Sequence, residues 1–113
     1  MGTPLTADDV RPAIDEMVRR IVRGFDPERI ILFGSLARGD ATTDSDADLL
    51  VVMRFDRPRR AVMHELRMAL VGIGLPKDVV PVTPEEAEAQ RSIPGSLVRA
   101  AHLEGTVLYA RAG

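Results

Sequence analysis

The segment from Gly34 to Asp48, together with Asp78, holds the residues whose types and spacing could do chemistry. Asp46 and Asp48 lie two residues apart at the head of the apolar run Leu49-Leu50-Val51-Val52-Met53. In an extended strand that spacing puts both carboxylates on one face, about 7 Å apart along the chain. Asp78 heads another apolar run, Val79-Val80-Pro81-Val82, and reaches the same face if the two strands are neighbours. Carboxylates crowded in this way repel one another unless a cation lies among them, and hard oxygen ligands suit Mg²⁺. Two such ions roughly 4 Å apart can activate an attacking oxygen and stabilise a leaving one. Gly34-Ser35 closes a third run, Arg29-Ile30-Ile31-Leu32-Phe33. A turn there offers backbone N–H groups and a hydroxyl to a phosphate, and glycine lets the backbone come close. Arg38, three residues on, is placed either to contact phosphate or to hold the loop. A phosphate cradle followed by a metal-binding strand is what nucleotidyl transfer from a nucleoside triphosphate requires.

Those residues must be positioned by the elements around them. Thr6, Asp8 and Asp9 mark a helix start, and Val10, Ile14, Met17, Val18, Ile21 and Val22 recur at helical spacing. The first helix is expected over residues 7–23, stopping at Gly24, with Pro12 tolerated early in it. Strands are expected at 29–33 and 48–53, separated by a loop or short helical turn. A basic connection, residues 54–60, leads to a helix over 59–71 with Val62, Leu66, Ala69, Leu70 and Ile73 near one face. A third strand follows at 77–82, with Pro81 pointing to an edge position. Thr83, Pro84 and Glu86 form a capping-box helix start. After Ser92–Gly95 a further short helix runs to Leu103, and Thr106–Tyr109 makes a last short strand. The order α-β-β-α-β-α-α-β is that of an α/β (α+β) domain, a small mixed β-sheet flanked by helices.

The bulk composition narrows the setting. The chain of 113 residues fits one domain, residues 1–113, around one core. With only 4% aromatics, that core must be aliphatic, with Met17, Met53, Met63 and Met68 as filler. A net charge of −2 supplies no general attraction to nucleic acid or anionic membrane, so nucleic acid is not an expected partner. There is no cysteine, which excludes disulfides, thiolate metal sites and a Cys nucleophile. No apolar run reaches the roughly 20 residues that span a bilayer, and no secretory leader pattern is present; the expected location is cytoplasmic. Asp40 and Asp44 read as loop residues, and Arg54, Arg57, Arg59 and Arg60 as a solvated connection or a patch for an acidic partner. His64 and His102 have no partner at metal-binding spacing. Asp78 has a competing reading as a strand-edge residue paired with Lys77.

The stretch from Gly34 to Leu49, GSLARGDATTDSDADL, resembles the signature of the DNA polymerase beta-like nucleotidyltransferase superfamily: Gly-Ser, ten residues, then Asp-x-Asp. It is most similar to the minimal nucleotidyltransferase (MNT) branch, through Ala37-Arg38-Gly39, Ser45, the Asp-Val-Val run at 78–80 and the terminal Gly-Thr-Val-Leu-Tyr at 105–109. The resemblance implies the polymerase beta-like fold, with Gly34 and Ser35 on the triphosphate and Asp46 and Asp48 on the metals. Asp78 would be the third carboxylate, which positions or deprotonates the attacking hydroxyl. It further implies Mg²⁺, two ions, with ATP or another nucleoside triphosphate as substrate. In the MNT branch the acceptor is often a protein tyrosine, and the expected partner is a HEPN-type toxin for which this chain is the antitoxin. The shortness of the chain agrees with an acceptor protein supplying the other wall of the cleft, in a hetero-oligomer or a homodimer. Two other readings stand beside it. One is a non-catalytic module that neutralises its partner by contact through Ile93, Leu97, Val98 and Leu103; the other is transfer to a small molecule.

Overall fold

The structure, a computed structural model, describes residues 7–42 and 45–112; the expected cap at Thr6 and the loop residue Asp44 lie outside these. Helical periodicity builds α1, Ala7–Phe25, which lays Val10, Ile14, Met17 and Ile21 into the core. The helix runs through Gly24 to Phe25 rather than stopping at Arg23. It ends at Asp26, whose φ of 47° is left-handed, a conformation that Asp adopts more readily than most side chains. Pro12 is accommodated inside the helix.

Strand β1, Arg29–Phe33, is buried along four of its five residues. The single turn α2, Ser35–Arg38, follows directly. Strand β2 runs Ala47–Val52, one residue earlier than its apolar run suggests, because Ala47 is completely buried and its N–H reaches the Pro76 carbonyl at 2.8 Å. Helix α3, Arg59–Ala69, then leads back to β3, Lys77–Val82. Helix α4, Pro84–Gln90, carries the expected capping box: the Glu86 N–H donates to Thr83 Oγ1 at 3.1 Å, and the Thr83 N–H to Glu86 Oε1 at 2.9 Å. Helix α5, Leu97–Glu104, and the short strand β4, Thr106–Ala110, complete the chain.

The four strands form one mixed sheet in the order β3-β2-β1-β4. Strand β1 is antiparallel to both β2 and β4, while β2 and β3 are parallel. The parallel pair needs a crossover, and α3 supplies it. Pro81 does lie on an edge strand, where a missing N–H costs no ladder bond. Helices cover both faces, so the central strands are apolar on both sides. On one face Ile30, Leu32, Leu49, Val51 and Val79 pack with α1 and α3. On the other, Ile31, Phe33, Leu50, Val52 and Val82 pack with Ala87 of α4 and Val98 and Ala101 of α5.

Two apolar expectations need correction. Val98 is buried beneath α5 and is no contact residue; it faces the sheet while Leu97 turns outward. Met68 is 56% exposed and fills no core, because the helix turns that position away from Leu66 and Leu70. Ile93, Leu97 and Leu103 are exposed as expected.

Candidate active site

The site residues gather where β1 ends and where β2 and β3 begin. Asp48 stands opposite Phe33 on β1 and in register with Asp78 on β3. Neighbours in register on parallel strands point to the same face, so Asp48 and Asp78 project side by side. The face is that of Leu50 and Val52, on the α4/α5 side. Asp46 is two residues before Asp48 but stands just ahead of β2 and is exposed.

Gly34 is the pivot of the turn between β1 and α2. Its φ of 78° is left-handed, and a Cβ built on it would collide with the Asp48 carboxylate. Glycine is therefore required twice over, by the backbone angle and by the closeness of Asp48. Ser35 opens α2, and among the described residues its hydroxyl makes no hydrogen bond. Leu36 and Ala37 lean on the α1 side of the core and anchor the turn.

The electrostatics of this corner are unusual for this molecule. Burial, then the charges of Asp78 and Asp46, push the Asp48 carboxyl above the usual carboxylate range, while Arg38 pulls weakly the other way. Among the described residues none of the three aspartates has an ion pair or hydrogen bond to a side chain. The reading of Asp78 as a partner of Lys77 does not hold: the Lys77 ammonium donates to the carbonyls of Ile73 at 3.1 Å and Leu75 at 3.0 Å. Arg38 is drawn away from the carboxylates into ion pairs with Asp40 at 3.3 Å and Glu104 at 3.2 Å, of which the Asp40 hydrogen bond does most to raise its pKa. It thus ties α2 to the end of α5, a link made by Glu104 that the sequence pattern did not reveal. His64 and His102 are exposed on α3 and α5.

The chemistry of the donors fits a hard divalent cation, since every candidate ligand is a carboxylate oxygen and, among the described residues, none of them is ion-paired. Among the described residues no three acidic or imidazole side chains yet converge on one point. Asp48 and Asp78 share a face, and they and Asp46 repel one another without forming a closed cage.

Comparisons with known proteins agree with this geometry. A family profile described as a nucleotidyltransferase domain matches residues 14–104. No curated protein matches the chain. A crystal structure from Sulfolobus solfataricus, whose assignment as a nucleotidyltransferase is itself provisional, superposes with a TM-score of 0.64 at 21% identity, covering 88% of this chain and 79% of that one. At that identity the likeness speaks for the fold alone, and the fold is the mixed four-stranded sheet with flanking helices described above. The profile spans the Gly-Ser turn, all three aspartates and most of the elements that hold them, and the chain belongs to the nucleotidyltransferase-domain family of the DNA polymerase beta-like superfamily.

Proposed function

We propose that this chain transfers a nucleoside monophosphate, AMP from ATP, to an acceptor hydroxyl with Mg²⁺ held by Asp46, Asp48 and Asp78. We propose further that the acceptor is a tyrosine of a HEPN-type toxin, for which the chain is the antitoxin. The observation that carries the chemistry is the register of Asp48 with Asp78, unneutralised, with Gly34 directly against Asp48. A bound divalent ion would supply the positive charge that the triphosphate oxygens require and ease proton loss from the acceptor hydroxyl. Ser35 Oγ and the N–H groups of the Gly34–Ser35 turn donate to phosphate oxygens. The acceptor oxygen bonds to the α-phosphorus, the bond to the bridging oxygen breaks, and pyrophosphate leaves with that electron pair. The hydroxyl proton passes to Asp78, which is exposed and so open to an incoming acceptor. Arg38, held by Asp40 and Glu104, keeps the α2 turn in place and contributes positive potential beside Asp48.

The resemblance to the MNT branch supports a protein acceptor and an antitoxin role, as do the exposed apolar residues Ile93, Leu97 and Leu103. The decisive experiment incubates the protein with ATP, Mg²⁺ and the co-encoded partner and records the partner's intact mass. Addition of AMP mass to the partner, lost in Asp46→Asn and Asp48→Asn, is the expected result. Neutralisation of the partner with no added mass, retained in both variants, would leave a contact antitoxin instead.

A further inference from the structure

Helix α3 carries a second unneutralised cluster, and this one is cationic. Arg60, His64 and Arg67 are four and three residues apart, so they line one side of the helix, and all three are exposed. Among the described residues Arg60 and Arg67 make no ion pair. This sets them apart from Arg54, Arg57 and Arg59 just before them, whose guanidinium groups go to Glu85, Glu65 and Glu86. The stripe borders an open groove of about 820 Å³ whose remaining lining includes Pro58, Ala61 and Met63. Met63 and Arg67 also line a second, small cleft beside it, with Leu70 and, on the edge strand β3, Lys77, Asp78 and Val79. With the Lys77 ammonium turned onto the carbonyls of Ile73 and Leu75, Arg67 is the cation available at that end.

We propose that this groove is the docking track for the acceptor and that it takes an acidic, partly apolar segment of a protein, presenting its hydroxyl to Asp78. The proposal rests on Asp78 being the carboxylate on the acceptor side of the transfer site. A chain of net charge −2 that keeps two arginines without an ion pair on one helix face offers a local complement to negative charge. The composition of the groove favours a polypeptide over nucleic acid. No Phe, Tyr or Trp lines it for bases to stack on, and Met63 offers an adaptable apolar contact.

Fluorescence anisotropy on the intact chain tests this with three probes. They are a labelled tyrosine-containing peptide rich in Glu and Leu, the same peptide with Lys for Glu, and a single-stranded RNA of matching charge. The acidic peptide should bind, more weakly as NaCl is raised, and the Lys peptide should not. The double variant Arg60→Glu, Arg67→Glu should weaken acidic-peptide binding by at least about tenfold and leave Mg²⁺-dependent ATP binding unchanged. No binding of the acidic peptide, equal binding of the Lys peptide, tighter binding of the RNA, or wild-type affinity in the double variant would each overturn the proposal. Asp46→Asn separates this result from the transfer reading. It should abolish Mg²⁺-dependent ATP binding and keep peptide binding, so loss of one readout does not imply loss of the other.

Discussion

The two ends of β2 treat charge in opposite ways. Beyond its C-terminal end, Arg54, Arg57 and Arg59 are each matched to a glutamate, and Arg59 also lies over the Phe55 ring, 5.6 Å from its centroid. At its N-terminal end, Asp46, Asp48 and Asp78 stand together and, among the described residues, none of them has an ion pair. Both ends are loops joined to the same buried strand, so the difference does not follow from burial or length. Matched charges of this kind hold a connection in place for a small gain. Unmatched charges kept together cost stability, and a fold retains them where something from outside completes the set.

The sharpest way to break this comparison is to remove one carboxylate. Asp48→Asn should lower Mg²⁺-dependent ATP affinity by at least about 100-fold, since even second-shell partners of metal sites are worth 10–100-fold; calorimetry measures it, and Arg54→Ala serves as the unaffected control. Gly34→Ala is next. The backbone angles alone, φ 78° with ψ −157°, cost a side chain about 1–3 kcal/mol, the clash with Asp48 adds to it, and urea denaturation should report the sum together with lost ATP binding. Thr83→Ala breaks the capping box at the paired end. It should cost about 1 kcal/mol in the same denaturation experiment and leave ATP binding intact.

Smaller effects separate the two ends by sign. The folded-state pKa of Asp48 is raised, so its ionised form weakens the fold. That penalty is fully present above the raised value and vanishes below the ordinary unfolded one. In chelator-treated buffer Asp48→Asn should therefore be slightly more stable than the parent at neutral pH, by less than about 1 kcal/mol given solvent screening. The advantage should disappear as the solution is acidified below the usual carboxylate range, as melting temperatures across pH will show. Glu65 and Glu86 run the other way. The Arg57 hydrogen bond lowers the first, and the Thr83 backbone N–H, followed by Arg59, lowers the second. Their contribution is present above the ordinary carboxylate pKa and is lost as pH falls through the lowered values. The smallest effect belongs to the Arg57–Glu65 pair, with contacts of 2.8 and 2.6 Å. A double-mutant cycle should return a small favourable coupling that shrinks with added salt.

Much of this was legible in the residues because it is local. The capping box of Thr83 and Glu86, the helical spacing in α1 and the β-branched runs of β1 and β3 are set by neighbours a few positions away. So is the edge placement suggested by Pro81. Boundaries were less legible. The start of β2 at Ala47 depends on a hydrogen bond to Pro76, nearly thirty residues on, and α1 passes Gly24 because Asp26 takes the left-handed turn. The outward face of Met68 and the inward face of Val98 likewise follow from how α3 and α5 settle on the sheet.

By itself, the sequence determined which groups could act: a glycine and serine after one strand, two aspartates before another, a third aspartate heading a run that could lie beside it. These are properties of residue type and spacing, although the two-residue strand repeat does not extend to Asp46, which stands just ahead of β2. Only the tertiary structure decided that β3 lies next to β2 in parallel, so that Asp78 falls level with Asp48, and that Gly34 comes to rest against that carboxylate. It also decided that Arg54, Arg57 and Arg59 pair with glutamates while, among the described residues, Arg60 and Arg67 of the next helix make no ion pair. Charge pairing and strand register depend on segments far apart in the chain meeting at a few ångströms, and no local pattern contains that information.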